Sequence, residues 1–294
     1  MTAREGGYQT PRAFAQALDA RLRNRSRAGS DDLVRFRRLV AFDRLLARLF
    51  HGEDGACWLV KGGYALEVRY GFGARSTRDM DLAVTRLGEV ESSRESAEVV
   101  HQRLLDAAAR DLKDFFDFDV SKPNRVLMGV PERGLGFPVA AWLDGRVFQS
   151  FAVDVVQDDP VTGEPEWKSG QDLLDFAGIP PARFRVVSRE QHFAEKLHAY
   201  VRPRASAVRT RVKDLVDLVL FVERGLPEPR RLAPAVRTTF AQASPFKVEP
   251  DFPRPPADWA RPYEALVLET GVTATTLDDA YRLLSQLWQS LDLT

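Results

Sequence analysis

The sequence has a single cysteine, Cys57, and no long apolar run. One cysteine excludes an intrachain disulfide, which suits a reducing compartment. No stretch reaches the roughly 18 apolar residues that a membrane helix needs, and residues 1 to 12 lack the apolar segment of a signal peptide. These absences argue against disulfide-rich secreted and membrane-spanning classes, so we expect a cytoplasmic protein with no membrane partner.

A net charge is lacking too, because 42 basic residues balance 42 acidic ones. The charges are nevertheless segregated along the chain. Residues 1 to 50 hold eleven arginines and five acids, residues 183 to 213 hold nine basic residues and two acids, and residues 144 to 175 hold eight acids and two basic residues. Basic patches of this size attract polyanions. Since arginine supplies 35 of the 42 basic residues, a bias in composition is the alternative explanation.

Hydrophobic periodicity divides the chain into a mixed part and a helical part. Helical spacing over 11 to 25 and 33 to 50 is followed, after residue 115, by short alternating runs that predict strands, with Asp144-Gly145 as a hairpin turn. Residues 157 to 169 are typical of an exposed loop. A proline pair at 180 and 181 predicts the boundary between a mixed-sheet domain, 1 to 180, and a helical domain, 181 to 294. We therefore predict an α/β (α+β) fold, bilobed with a central cleft.

Two glycines interrupt an apolar run early in the first domain. Trp58 to Val60 predicts a short strand, Gly62-Gly63 a turn, and Tyr64 to Tyr70 a helix. Glycines before a helix let a polyphosphate approach the backbone N–H groups at the positive end of the helix dipole. A tight turn without a ligand is the other interpretation.

Two carboxylates follow on a predicted strand. Asp79 and Asp81 alternate with Met80 and Leu82, so the two acids share one face while the apolar side chains face a core. Neighbouring carboxylates repel unless a cation lies between them, and Mg²⁺ takes oxygen ligands while leaving positions for phosphates. Two solvated acids at a strand end are the alternative. With the glycine turn upstream, we predict a metal site.

A glycine pair, a helix and Asp-x-Asp in an apolar frame resemble the nucleotidyltransferase superfamily that shares the fold of DNA polymerase beta. That resemblance implies a third acid on a later strand, and Asp154 within the apolar run 151 to 156 is the match. Metal ligation by Asp79, Asp81 and Asp154, and nucleotide binding at Gly62 and Gly63, are implied in the same way. Many superfamily members carry serine where this chain has Gly63.

Two later motifs narrow the resemblance: HFAEKLHA, which contains Lys196, and KDLVDL, which contains Asp214 and Asp217. Together with the KGG turn they are similar to the AbiEii/AbiGii toxin family of bacterial toxin–antitoxin systems, including its MenT branch. The resemblance implies that Lys196 binds the nucleotide and neutralises the leaving diphosphate, and that Asp214 orients Lys196 or the acceptor. Asp217 is interpreted as structural.

The activity implied by this resemblance is metal-dependent transfer of a nucleoside monophosphate from an NTP, with Mg²⁺ or Mn²⁺, to an RNA acceptor. The resemblance further implies the 3′ end of tRNA as acceptor, a block of translation, a cognate antitoxin protein as partner and no DNA substrate. Two alternatives stay open: transfer to a small molecule, as in antibiotic-modifying relatives, and a degenerate RNA-binding or partner-binding module. The arginines expected to contact acceptor phosphates are Arg35, Arg38, Arg202 and Arg204.

Overall fold

The structure is a computed structural model that describes residues 7–28, 32–85, 93–127, 134–157, 163–202, 211–242 and 251–293. Its α-helices are α1 (Pro11–Ala28), α2 (Leu33–Leu49), α3 (Gly62–Tyr70), α4 (Ser93–Ala108), α5 (Arg189–Val201), α6 (Arg211–Gly225), α7 (Pro229–Gln242), α8 (Ala260–Thr270) and α9 (Leu277–Ser290). Its strands are β1 (Trp58–Val60), β2 (Met80–Val84), β3 (Phe116–Val120), β4 (Arg125–Leu127), β5 (Gly134–Leu143), β6 (Arg146–Gln157), β7 (Glu166–Ser169) and β8 (Arg183–Val186). The predicted mixed α/β class is confirmed.

The strands form one mixed sheet in the described part of the chain. Its order is β3-β5-β6-β2-β1-β8-β7, and β4 pairs with β5 beside β3. The pairs β2–β6 and β1–β8 are parallel, whereas β1–β2, β3–β5, β4–β5 and β5–β6 are antiparallel. Strand β2 therefore lies between β6 and β1, and its residues pair with residues of both strands.

Two compact units divide the chain, and they alternate along the sequence. The first comprises residues 1–64, 77–159 and 167–186, and the second comprises residues 65–76, 160–166 and 187–294. The main transition, between residues 186 and 187, falls six residues after the proline pair at which we predicted a boundary. Division into the domains 1 to 180 and 181 to 294 stays a prediction.

Helix α2 forms much of the core of the first unit. Asp32 caps the helix by accepting a hydrogen bond from the backbone N–H of Val34 at 2.9 Å. Phe42 packs edge-on against Phe151 of β6, with ring centroids 4.9 Å apart, and against Tyr64, at 5.0 Å. The apolar face of α2 is thereby buried against β6 of the sheet.

The core of the second unit is helical. Helices α5, α6 and α7 bury Phe193, Leu197, Phe221 and Val236, with the rings of Phe193 and Phe221 meeting edge-on at 5.8 Å. Helix α6 is buried on most of its circumference, as its apolar residues on both sides predict. None of the described helices has the length and apolar composition to cross a membrane.

The structure differs from the sequence prediction in the segment 157 to 169. The last four residues of the predicted loop form β7, and residues 158 to 162 lie outside the described part of the chain. Strand β7 has the half-exposed pattern of a sheet edge, with Trp167 54% exposed. Pairing with β8 stabilises it, and a local sequence pattern with two prolines and a glycine does not reveal that partner.

Candidate active site

The glycine turn after β1 is built around the side chain of Asp81. Gly62 has a φ of +58°, and a Cβ atom there would lie 1.9 Å from Asp81 Oδ2. Both the left-handed backbone and the lack of space require glycine at this position. The backbone N–H of Gly63 donates to Asp81 Oδ2 at 3.2 Å, and the N–H of Lys61 donates to the Asp81 carbonyl oxygen at 2.9 Å. Two hydrogen bonds therefore join the glycine turn to Asp81.

The alternation predicted around Asp81 is confirmed. Met80 and Leu82 are buried, whereas Asp79, directly before β2, and Asp81 are partly exposed. Asp81 is the register partner of Asp154 on the parallel strand β6. Because side chains of register partners point to the same face of a sheet, the third predicted acid lies beside the other two. The structure thus brings Gly62, Gly63 and the three acids together within the first unit.

Arg125, which the sequence reasoning missed, also belongs to this cluster. Arg125, Gly136, Asp154 and Asp81 are successive register partners across β4, β5, β6 and β2. Arg125 Nη2 lies 2.5 Å from Asp154 Oδ1 and 3.9 Å from Asp79 Oδ2. A Cβ on Gly136 would be 2.3 Å from Arg125 Nε, so glycine leaves the space that the arginine crosses.

Burial raises the pKa of Asp154 above its usual range, and the hydrogen bond from Arg125 offsets only part of that effect. The hydrogen bond from the arginine to Asp154 in turn raises the pKa of Arg125. A positive charge beside Asp154 therefore stabilises the ionised form of this carboxylate, which burial alone would disfavour. In the sequence, the signal for such a partner was Asp154 itself, because an acid within an apolar strand needs a positive charge nearby.

The donor set of this cluster fits a hard divalent cation. Asp79, Asp81 and Asp154 offer only oxygen ligands, which Mg²⁺ prefers, and the guanidinium of Arg125 supplies positive charge at the same carboxylates. Across the residues that the structure describes, no three His, Cys, Asp or Glu side chains are already arranged as a metal-binding group. Arg125 supplies a counter-charge to Asp154.

The second unit contains the other predicted residues, Lys196 and Asp214, in a buried charge network. Lys196 Nζ lies 3.0 Å from Asp214 Oδ1 and 2.8 Å from Asp217 Oδ2. Arg75 donates to both oxygens of Asp217, from Nε at 2.9 Å and from Nη2 at 2.8 Å. Arg211 Nη1 donates to Asp214 Oδ2 at 2.6 Å. The predicted orientation of Lys196 by Asp214 thus has a hydrogen bond to support it.

Charges in this network stabilise one another. Burial alone would lower the pKa of Lys196, but the carboxylates of Asp217 and Asp214 outweigh it and raise the pKa. Burial alone would raise the pKa of Asp217, but Lys196 and Arg75 hold it below its usual range. Lys196 is therefore an ammonium at neutral pH. Asp217 was predicted to be structural, and Arg75 was not singled out. The two residues are 142 positions apart, so no local pattern could reveal their pairing.

Arginines expected to contact RNA have unequal exposure. Arg35 and Arg38 are only 6% and 7% exposed, so the expectation that they face acceptor phosphates is wrong for the folded state. Most residues of their helix, α2, are buried, and the two arginines are buried with them. Arg202 is partly exposed, and Arg204 lies outside the described residues.

Known proteins resemble this chain at the level of a sequence family and at the level of the fold. The family model described as nucleotidyl transferase AbiEii toxin, type IV toxin–antitoxin system, matches residues 44 to 282. The fold is similar to the solved structure of MenT4, a nucleotidyltransferase toxin from Mycobacterium tuberculosis H37Rv, with a TM-score of 0.56 and 19% identity over 97% of this chain and 94% of that one. At this identity the structural likeness shows the fold alone. No curated protein sequence matches the chain.

Proposed function

The chain belongs to the AbiEii family of nucleotidyltransferase toxins, and we propose that it transfers a nucleoside monophosphate from an NTP to the 3′ end of a tRNA, which blocks translation. The observation that carries the proposal is the row in which Asp81 and Asp154 are register partners, with the glycine turn bonded to Asp81. A cytoplasmic location, where NTPs and tRNA occur, is part of the proposal, as is neutralisation by a cognate antitoxin protein.

Asp79, Asp81 and Asp154 are the residues that would hold Mg²⁺ or Mn²⁺. Such an ion, when bound, polarises phosphate oxygens and neutralises their negative charge. One of these acids, Asp154, also has a role in proton transfer in this proposal. The acceptor hydroxyl oxygen attacks the α-phosphorus, the bond from that phosphorus to the oxygen that bridges to the β-phosphate breaks, and pyrophosphate leaves. In this proposal the Asp154 carboxylate accepts the hydroxyl proton.

Gly62 and Gly63 would hold the nucleotide in the same proposal. In the described arrangement the Gly63 N–H is occupied by Asp81 Oδ2 at 3.2 Å, which is a long hydrogen bond. A triphosphate oxygen can replace that weak partner when the carboxylate turns to a cation. The absence of a side chain at both positions leaves the backbone accessible to such an anion.

Lys196 is the proposed cationic group for the departing diphosphate. Phosphoryl transfer depends mainly on positioning and on charge stabilisation, so a lysine that stays protonated suits this role. Asp214 and Asp217 limit the positions of its ammonium through contacts of 3.0 and 2.8 Å. Asp214 is proposed to orient Lys196, and Arg75 to fix Asp217.

Incubation with each α-labelled NTP and total tRNA, with and without Mg²⁺, tests the proposal. Label in RNA that requires Mg²⁺ and is lost in Asp81→Asn supports it. Asp117→Asn is the matched control, because Asp117 is an exposed acid on the outer strand β3 of the same sheet. Label in a small molecule of an added cell extract would favour the antibiotic-modifying alternative, and no label anywhere would favour a binding module.

A further inference from the structure

The first unit has a cavity of about 600 Å³ that none of the three acids lines. The C-terminal end of α2, the residues just before β3 and the segment that leads into β8 surround it. Four of its lining side chains are basic: Arg44, His51, Lys113 and Arg183. Among the described residues that line this cavity none is acidic. We refer to it as the basic cavity. Its volume lies within the usual range for small-ligand sites, about 300 to 1,000 Å³.

The basic side chains differ in how firmly they are held. Arg44 is buried, pairs with Asp43 and donates to the carbonyl oxygen of Pro180 at 2.7 Å, so these contacts hold its side chain in place. Lys113 pairs with Asp111, but both side chains are more than 60% exposed, at 71% and 63%. Exposed ion pairs contribute about 0 to 1 kcal/mol, so a ligand anion can compete for the lysine. Arg183 is exposed, with its guanidinium 5.3 Å from the centre of the Trp167 ring.

Apolar groups complete the lining. Phe50, Leu112, Ile179 and Pro181 are each only partly buried, so they present apolar surface to the cavity. The aromatic ring of Phe50 offers a flat face that can stack on a base, and the aliphatic and proline side chains add apolar contact. A ligand that satisfies the whole lining must therefore combine a flat ring with a negative charge. A phosphorylated nucleoside has this combination.

One arginine from each of the two basic runs of the sequence lines this cavity. Arg44 belongs to the run from 1 to 50, and Arg183 begins the run from 183 to 213. From this convergence we infer that the basic cavity binds a phosphorylated nucleoside at a position separate from the transfer site. Two sources share this chemistry: a nucleotide of the acceptor RNA and a free mononucleotide. The RNA source rests on the proposed function, whereas the mononucleotide source does not.

The test compares the full-length double variant Lys113→Ala/Arg183→Ala with the wild type. Binding of fluorescently labelled total tRNA is measured by anisotropy at several salt concentrations, and AMP binding by calorimetry. If RNA is the source, tRNA affinity falls about tenfold and the salt slope, log affinity against log salt, flattens by about 1.5 to 2, as loss of two phosphate contacts predicts. The matched control, Lys122→Ala/Arg146→Ala, removes the same charge at exposed residues that do not line the cavity, and should leave tRNA affinity and slope as in the wild type.

A second variant tests the cavity by shape rather than charge. Ala47 lies on α2 and lines the cavity, so Ala47→Trp should fill the space without removing a basic group. Loss of AMP binding in both Ala47→Trp and the double variant, with tRNA binding unchanged, identifies a free mononucleotide as the occupant. Wild-type affinity for both tRNA and AMP in these variants, or equal losses in the control, overturns the inference.

The outcome is distinguishable from failure of the proposed function. If the wild type binds tRNA through the cavity but transfers no nucleotide to it, the proposed reaction is wrong and the cavity inference stands. If transfer to tRNA occurs and the cavity variants bind tRNA and AMP normally, the proposed reaction stands and the cavity inference is wrong. Circular dichroism melting of each variant confirms that the fold is intact before either conclusion is drawn.

Discussion

Arg125 lies across Gly136 to reach Asp154, with 2.5 Å between the guanidinium nitrogen Nη2 and Oδ1 of the carboxylate. The three residues are register partners on β4, β5 and β6. A side chain at the middle position would block this path. The same carboxylate is a proposed ligand of a divalent cation, so the arginine and a cation bound there would compete for it.

Arg125→Gln should therefore raise the affinity for Mn²⁺ in the absence of NTP. Since Arg125 is 43% exposed, the ion pair contributes about 1 kcal/mol at most, and the expected gain is up to about fivefold. Electron paramagnetic resonance titration of free Mn²⁺ measures it. Arg146→Gln, an exposed arginine at the start of β6, should leave the affinity unchanged. Weaker Mn²⁺ binding in Arg125→Gln would contradict competition.

Asp81→Asn should strongly reduce nucleotide transfer and leave the fold intact. Asparagine keeps the size of the side chain and can still accept from the Gly63 N–H, but it removes a charge from the acid cluster. Loss of one electrostatic contact of this kind reduces turnover by about 10²- to 10³-fold. Label transfer and thermal melting are the two measurements. Full activity in the purified variant would show that Asp81 is no metal ligand.

Lys196→Ala should reduce both turnover and stability, and Lys196→Arg should restore stability more than turnover. Alanine leaves the buried Asp217 with Arg75 alone and takes the ammonium from Asp214. Arginine keeps the charge but changes its shape and position. Single-turnover transfer and urea unfolding separate these effects. Lys122→Ala, at an exposed position, serves as control. Normal turnover with reduced stability would assign Lys196 a structural role.

Asp217→Asn should destabilise the protein by about 3 to 5 kcal/mol, because it leaves Lys196 and Arg75 buried without a full counter-charge. Asp278→Asn is the matched control. Asp278 pairs with Arg254 on the surface, where the two side chains are 72% and 65% exposed, so its loss should cost less than about 1 kcal/mol. Urea unfolding at neutral pH measures both variants, and equal losses would exclude a special role for the buried network.

The destabilisation caused by Asp217→Asn should depend on pH. The pKa of Asp217 is below its usual range in the folded protein, so its stabilisation is complete above the unfolded value of about 3.9 and disappears as the pH falls through the folded value. The difference in unfolding free energy between wild type and variant should be constant from pH 7 to about 5 and narrow below about pH 4. A difference that widens on acidification would mean that the carboxylate is not paired as described.

Sequence alone determined the parts of this protein that depend on local periodicity. The period of two around Asp79 and Asp81 predicted which side chains are buried, and the helical spacing over 33 to 50 predicted α2 to within one residue of its bounds. Asp144-Gly145 was predicted as a turn, and both residues have positive φ, 52° and 68°. These features follow from interactions between residues close in the chain, which a sequence pattern records directly.

Tertiary structure alone decided the contacts between residues far apart in the chain. Arg125 reaches Asp154 because strand register aligns them across Gly136, and Arg75 meets Asp217, which is 142 positions further on. Strand β7 lies within a predicted loop, and Arg35 and Arg38 are buried although their charge favoured exposure. Register and burial depend on which surfaces pack together, and this packing is a property of the whole fold that no local pattern contains.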